Sequence, residues 1–81
     1  MIEIKVLGTG CAKCKKLYEQ AEKALALSGA QARLTKVEKL DDIMAYGVMM
    51  TPALVINETV KSSGKIPKAE KIAKWIQEAA R

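Results

Sequence analysis

The sequence of 81 residues contains no histidine, no phenylalanine and only two cysteines, Cys11 and Cys14. Without histidine, every mechanism that depends on a Cys-His or Ser-His pair is excluded. Two cysteines alone also cannot complete a tetrahedral zinc site within one chain. The only aromatic residues are Tyr18, Tyr46 and Trp75. They are too few for a platform on which nucleic-acid bases stack, so we expect no nucleic-acid partner.

Long apolar runs are also absent. No stretch approaches the roughly 18 apolar residues of a membrane span, and the start of the chain lacks the basic-then-apolar layout of a signal peptide. We therefore expect a cytoplasmic protein without a membrane partner, built as a single domain over residues 1–81 and acting as a monomer. In a reducing compartment, a close cysteine pair is usually catalytic, redox-sensing or metal-binding.

The chain carries a formal charge of +5, from 14 lysines and arginines against 9 acidic residues. Most of the basic residues are scattered among acidic ones, which is typical of a solvated surface. Lys13, Lys15 and Lys16 differ because they crowd the two cysteines. Positive charge at this position lowers the pKa of a neighbouring thiol.

The two cysteines stand between a strand and a helix. Residues 2–7 alternate apolar and charged side chains and lead into a glycine-rich turn, which predicts a strand. Apolar residues then recur at helical spacing and predict a helix over 12–27, closed by Gly29. Cys11 and Cys14 therefore lie where unpaired backbone N–H groups and the positive end of the helix dipole favour a thiolate.

The rest of the chain predicts a strand over 32–37, a short helix near 40–44 closed by Gly47, a buried strand over 53–56, a turn at Asn57-Glu58 and a strand over 59–62. Pro67 is expected in the first turn of a last helix, whose inward residues are Ala69, Ile72, Ala73, Ile76 and Ala80. The fold class is α/β, with the order strand-helix-strand-helix-strand-strand-helix. We predict a mixed four-stranded sheet covered by three helices, whose first two strands are parallel.

Three segments carry a resemblance to a known family: residues 8–17 around Cys11-Ala12-Lys13-Cys14, residues 46–55 around Thr51-Pro52, and residues 63–67 beginning Ser63-Gly64. Together they make the chain resemble the small thioredoxin- or glutaredoxin-like redox-active disulfide proteins of archaea and bacteria. The resemblance implies a minimal thioredoxin fold and a thiol-disulfide oxidoreductase.

The resemblance also implies roles for individual residues. Cys11 is similar to the exposed attacking thiol of the family, and Cys14 to the buried resolving thiol. Pro52 is similar to the cis-proline that faces the disulfide. Thr51 would offer its backbone to an extended substrate segment, and Gly64 would leave a groove open beside it. The implied partners are disulfide-containing proteins and a reductase, and the implied cofactor is none beyond the Cys11-Cys14 disulfide.

The chain departs from the family pattern around the cysteines. Gly10 stands in place of the familiar tryptophan, and Ala12-Lys13 in place of Gly-Pro. We expect Gly10 and Lys13 to tune the thiol pKa and the reduction potential. The segment with which many glutaredoxins bind glutathione is missing, so the sequence does not support glutathione dependence.

Two alternatives use the same cysteines. A stabilising disulfide across so short a loop would contribute only about 2 kcal/mol. A soft-metal carrier is the stronger rival, although Thr9 stands where small heavy-metal-binding domains have methionine. We interpret Met44, Met49 and Met50 as core and groove filler rather than metal ligands. Glu3 and Glu38 are candidate proton carriers for Cys14.

Overall fold

The computed structural model describes residues 2–80. The elements follow one another as β1 (Ile2–Leu7), α1 (Ala12–Ser28), β2 (Ala32–Val37), α2 (Leu40–Ala45), β3 (Ala53–Ile56), β4 (Thr59–Ser63) and α3 (Ala69–Ala79). This order confirms the sequence prediction. None of the helices within residues 2–80 has the length and apolar character needed to cross a membrane.

The four strands form one mixed sheet in the order β2-β1-β3-β4. Strand β1 is parallel to β2 and antiparallel to β3, while β3 and β4 form an antiparallel hairpin. The pairing of Leu7 with Ala53 brings the end of β1 beside the start of β3. Consequently, the loop after β1, which carries the cysteines, lies next to the loop before β3, which carries Pro52.

The sheet separates two apolar clusters of different size. The larger lies against α1 and α3 and includes Ile4 of β1, Leu17 of α1 and Ile72 of α3, all fully buried. Complete burial of such side chains contributes about 1.5–3 kcal/mol each. The smaller cluster, under α2, consists of Leu7, Ile43, Ala53 and Val55. The helix that carries the cysteines is therefore anchored on the more extensively packed face.

Positive backbone angles mark the end of α1 and the turn between β3 and β4. Gly29 ends α1 with φ 66°, and its N–H donates to the Leu25 carbonyl over 3.3 Å. Asn57 and Glu58 take φ 49° and 66° in the β3-β4 turn. This left-handed conformation is unfavourable for Glu. The Glu58 carboxylate accepts a 2.7 Å hydrogen bond from Lys5 Nζ, which holds the turn against β1.

The start and end of α3 differ from the prediction. Pro67 precedes the helix instead of lying in its first turn, because α3 begins at Ala69 with Lys68 as its N-cap. Lys68 makes no side-chain cap; instead, Gln20 of α1 accepts a 2.9 Å hydrogen bond from the Ala69 N–H. Ala80, expected to face inward, is exposed because it lies beyond the last helical residue. The other four predicted inward residues of α3 are buried: Ala69, Ile72, Ala73 and Ile76.

Candidate functional site

The first turn of α1 holds the two cysteines. Cys11 is the N-cap, with φ −68° and ψ 167°, and its Sγ accepts a 3.2 Å hydrogen bond from the Cys14 N–H. Cys11 and Cys14 are joined by a disulfide, with their Cα atoms 5.0 Å apart, inside the usual range for such a bridge. A sulfur at this cap therefore faces a backbone donor and the positive end of the helix dipole.

The two sulfurs differ in their access to solvent. Cys11 is exposed, whereas Cys14 is buried with only 5% of its surface accessible. One helical turn separates them, so Cys14 lies on the face of α1 that packs inward with Leu17. An incoming molecule can therefore reach Cys11 and cannot reach Cys14 directly.

Gly8 is part of this site, although its place after β1 predicted only a turn. It is buried, and a Cβ added to it would lie 3.1 Å from Cys14 Cβ, closer still to Cys14 Sγ, and 4.0 Å from Pro52 Cα. The absence of a side chain makes room for the Cys14 sulfur. No local pattern signals this role, because the contact depends on how β1 and α1 pack.

Pro52 lies in the loop before β3, with its Cα 4.0 Å from the position of a Cβ added to Gly8. It is buried, its peptide bond with Thr51 is cis, and Thr51 is exposed. The carbonyls on either side of Thr51 are both used: Ser63 Oγ donates to Met50 O, and Gly64 N–H donates to Pro52 O, each over 2.8 Å. Strand β4 thus fixes the loop that presents Thr51.

Comparison with known proteins accords with this geometry. A family model described as a thioredoxin domain matches residues 2–77. The chain belongs to the thioredoxin family.

Two relatives named thioredoxin extend the match. The protein from Methanocaldococcus jannaschii is 36% identical over 72 residues, which cover 89% of this chain and 83% of the relative. The protein from Methanothermobacter thermautotrophicus is 32% identical over 74 residues, which cover 91% of this chain and 96% of the relative. Together with the Cys11-Cys14 pair, these similarities identify the chain as a thiol-disulfide oxidoreductase.

Beside Cys14, this thioredoxin-family protein has a cavity of about 110 Å³. Its lining includes Cys14, Tyr18 and three charged side chains, Lys15, Lys36 and Glu38. Lys36 Nζ lies 4.7 Å from the centre of the Tyr18 ring, a cation–π contact. The cavity can hold a few water molecules, so it connects the buried sulfur with ionisable groups.

The two glutamates considered as proton carriers lie in different places. Glu38 lines the cavity beside Cys14, and its Oε2 lies 3.7 Å from the position of a Cβ added to Gly10. Glu3 is at the other end of β1, where its backbone N–H donates to Asn57 Oδ1 over 2.9 Å. Only Glu38 is brought to the cysteines.

The two residues expected to tune the thiol flank Cys11. Gly10 is exposed and has φ 90°, a backbone angle that favours glycine. Lys13 is exposed in the first turn of α1. Both residues are therefore exposed to solvent close to Cys11 along the chain.

The interpretation of the three methionines as core and groove filler is wrong for the core. Met44, Met49 and Met50 are exposed over 63%, 97% and 62% of their surfaces. The small cluster under α2 consists of other side chains, and Val48 rather than a methionine packs against it. Met50 does lie against Gly64, where an added Cβ would come within 3.0 Å of its Cβ and Cε. The space beside Gly64 is thus filled by the Met50 side chain.

A second and larger cavity, of about 560 Å³, lies on the α2 side of the sheet. Lys5, Tyr46 and Glu58 line it and are joined by hydrogen bonds: Lys5 Nζ donates to Tyr46 Oη and to Glu58 Oε1, each over 2.7 Å. The Lys5 ammonium lowers the pKa of Glu58, and the hydrogen bonds to Glu58 and Tyr46 raise the pKa of Lys5. The charges of Lys5 and Glu58 therefore form an ion pair within the fold.

Proposed function

We propose that this protein exchanges its Cys11-Cys14 dithiol and disulfide with disulfides of partner proteins, through a mixed disulfide on Cys11. The observation that carries the proposal is the difference in exposure, since Cys11 is open to solvent and Cys14 is 5% exposed. The exposed Cys11 thiol therefore attacks the partner, and the buried Cys14 thiol resolves the mixed disulfide.

The first step needs the reduced form of the protein. The Cys11 thiolate attacks one sulfur of the partner's disulfide, forming a Cys11–partner disulfide and releasing the other partner sulfur as a thiolate. The Cys14 N–H, which lies 3.2 Å from Cys11 Sγ, supports the attacking thiolate as a hydrogen-bond donor. Lys13 and Gly10 adjust the charge and the access around it.

The second step releases the partner. Cys14 loses its proton, its thiolate attacks Cys11 Sγ, and the partner's remaining sulfur leaves as a thiolate while the Cys11-Cys14 disulfide forms. The proton passes through water in the 110 Å³ cavity to Glu38, since this chain has no histidine and Glu38 is the carboxylate of the cavity. The reaction needs no cofactor other than the two cysteines.

Thr51, Pro52 and Gly64 form the binding edge for the substrate segment. Thr51 presents its backbone to an extended chain, and the Gly64 N–H holds the Pro52 carbonyl by a 2.8 Å hydrogen bond. The partners in this proposal are disulfide-containing cytoplasmic proteins and a reductase that restores the dithiol. The protein acts as a monomeric single domain.

Trapping of partners tests the proposal. Cys14→Ser lacks the resolving thiol, so partners remain attached to Cys11 as mixed disulfides that reductant releases. Cys11→Ser, which keeps only the buried thiol, is the matched control and is expected to trap few or none. Both variants are incubated with a synthetic disulfide peptide and with lysate free of reductant, and adducts are measured by mass spectrometry.

Equal trapping by both variants would contradict the division of tasks. Absence of trapping, together with a soft metal ion bound tightly by the native protein, would favour the carrier alternative. Within residues 2–80, no group of three or more Cys, Asp or Glu side chains is placed to hold a metal ion. A carrier of tetrahedral zinc would therefore have to share its ion with a second molecule.

A further inference from the structure

The first turn of α1 has an unusual charge distribution. It contains no acidic residue, whereas α2 begins with Asp41 and Asp42, and α3 has Glu70 in its first turn. Acidic residues in a first turn stabilise a helix through its dipole, and cations there oppose it. Beginning α1 with Lys13, Lys15 and Lys16 therefore does not serve the stability of the helix itself.

These three side chains, which we call the basic rim, are exposed. Among residues 2–80, ion pairs involve only Lys5 and Arg33, with Glu3 and Glu58 as their partners. The basic rim thus has no carboxylate within 4.0 Å in the described part of the chain. Lys36 adds positive charge on the same side, in the cavity beside Cys14, and Glu38 offsets part of it.

The side of the site formed by the loop before Thr51 carries two exposed apolar side chains. Met49 is 97% exposed and Met50 is 62% exposed, and both precede Thr51 in the loop fixed by β4. Methionine side chains are flexible and polarisable, and they adapt to different apolar surfaces. This side provides contact area without selecting for charge, so the basic rim is what can select the partner.

We propose that the basic rim selects partner segments that carry Asp or Glu close to the disulfide to be exchanged. The proposal rests on the proposed function and names its substrate class. Opposite charges raise the rate at which two molecules meet in a productive orientation, and like charges lower it. The attraction acts within about 10 Å at 0.1 M salt, so only charges next to the reacting disulfide contribute strongly.

Peptides of opposite charge test this directly. Two disulfide peptides of equal length and sequence are compared, one with Asp and one with Lys on both sides of its cysteines. The reduced native protein is mixed with each, and the second-order rate constant is measured at low salt and at high salt. The acidic peptide is expected to react about tenfold faster at low salt, with the ratio approaching one at high salt.

A pair of double variants locates the effect. Lys15→Gln/Lys16→Gln removes two charges of the basic rim, and Lys23→Gln/Lys74→Gln removes two charges from later in α1 and from α3. The first variant is expected to lower the acidic-to-basic rate ratio several-fold, and the second to leave it near the native value. Because the ratio cancels any change in the intrinsic reactivity of Cys11, it reports selection alone.

The outcomes separate the two proposals. Equal rates for the two peptides at low salt, or a ratio lowered equally by both double variants, would overturn the role of the basic rim and leave the proposed function intact. If the reduced protein reacts with neither peptide, the proposed function fails and this inference fails with it.

Discussion

Lysines occupy two contrasting environments in this molecule. Lys5 extends from the middle of the central strand β1 and donates to Tyr46 and Glu58, each over 2.7 Å. Lys15 and Lys16, by contrast, are exposed at the start of α1. They take part in none of the ion pairs of residues 2–80. Lys5 is thus paired with groups of its own chain. The charges of Lys15 and Lys16 remain available to a second molecule.

The difference separates stability from function. The charge on Lys5 ties β1 to the end of α2 and to the β3-β4 turn, so its partners come from the same chain. The lysines of α1 stand where the helix dipole disfavours them, beside the reactive sulfurs. Departures from local preference are expected at functional sites, where another requirement outweighs stability. Substitutions that separate geometry, acid-base chemistry and charge can test this division.

The largest effect is expected from Gly8→Val, which changes no charge. Its side chain would occupy the space of Cys14 Sγ, given that even a Cβ would lie 3.1 Å from Cys14 Cβ. We expect thiol-disulfide exchange to slow by more than about tenfold, and overpacking to destabilise the fold by about 1–3 kcal/mol. Peptide-disulfide reduction and thermal unfolding measure the two effects.

Gly8→Ala is the graded control and should show a smaller loss in both measurements. If Gly8→Val exchanges disulfides at the native rate, the packing of Cys14 is not what limits the reaction, and charge would have to account for reactivity alone.

Much of the fold was predictable because it follows local patterns. The alternation of β1 and the continuous apolar run of β3 gave correct strands, and Gly29 correctly ended α1. The cysteine pair was recognisable from its spacing at a strand-to-helix junction. The resemblance added Thr51 and Pro52, which no local rule connects with a site 40 residues away.

The remaining features depend on contacts between distant residues. Gln20 caps Ala69 across 49 positions, and Lys5 reaches Glu58 across 53. The contact of Gly8 with Cys14 requires two elements to be packed before it exists. The exposure of Met49 was missed because methionine is an apolar residue, and only the assembled fold shows that it lies outside both apolar clusters.

The second prediction concerns acid-base chemistry. Glu38→Gln removes the carboxylate from the cavity beside Cys14 while keeping a similar shape. We expect the resolving step to slow by about tenfold or more, since a positioned base contributes at least that much to proton transfer. The rate is measured as release of a chromophoric thiol from a preformed mixed disulfide on Cys11, across a range of pH.

Glu3→Gln is the matched control, because it removes the same charge at the far end of β1. It should leave the release rate near the native value. Equal slowing by both variants would mean that Glu38 acts through net charge rather than as the proton acceptor.

A smaller effect is expected at Lys13, which influences Cys11 through space. In the Cys14→Ser background, Lys13→Gln should lower alkylation of Cys11 by iodoacetamide about threefold below neutral pH, since it removes one nearby positive charge in a solvated setting. At high pH the rates should converge, because Cys11 is then fully ionised in both proteins. Lys23→Gln in the same background is the control, and an equal reduction there would show only a general charge effect.

The smallest effect is expected from Lys5→Met, and it should appear in stability and not in exchange. Methionine keeps the apolar stem and removes the charge that lowers the pKa of Glu58. A lowered carboxyl pKa stabilises the fold above the pKa of the unfolded group, and this contribution disappears as the pH falls through the folded value. The native protein should therefore unfold at a slightly higher temperature than Lys5→Met at pH 7, and the difference should shrink as the pH falls through the lowered pKa of Glu58. Lys61→Met, on the exposed strand β4, controls for loss of charge alone. A difference in unfolding temperature that persists unchanged in acid would show that Lys5 acts by packing. Slower disulfide exchange in Lys5→Met would show that the paired lysine also affects the reaction, against the separation between the paired and the available lysines.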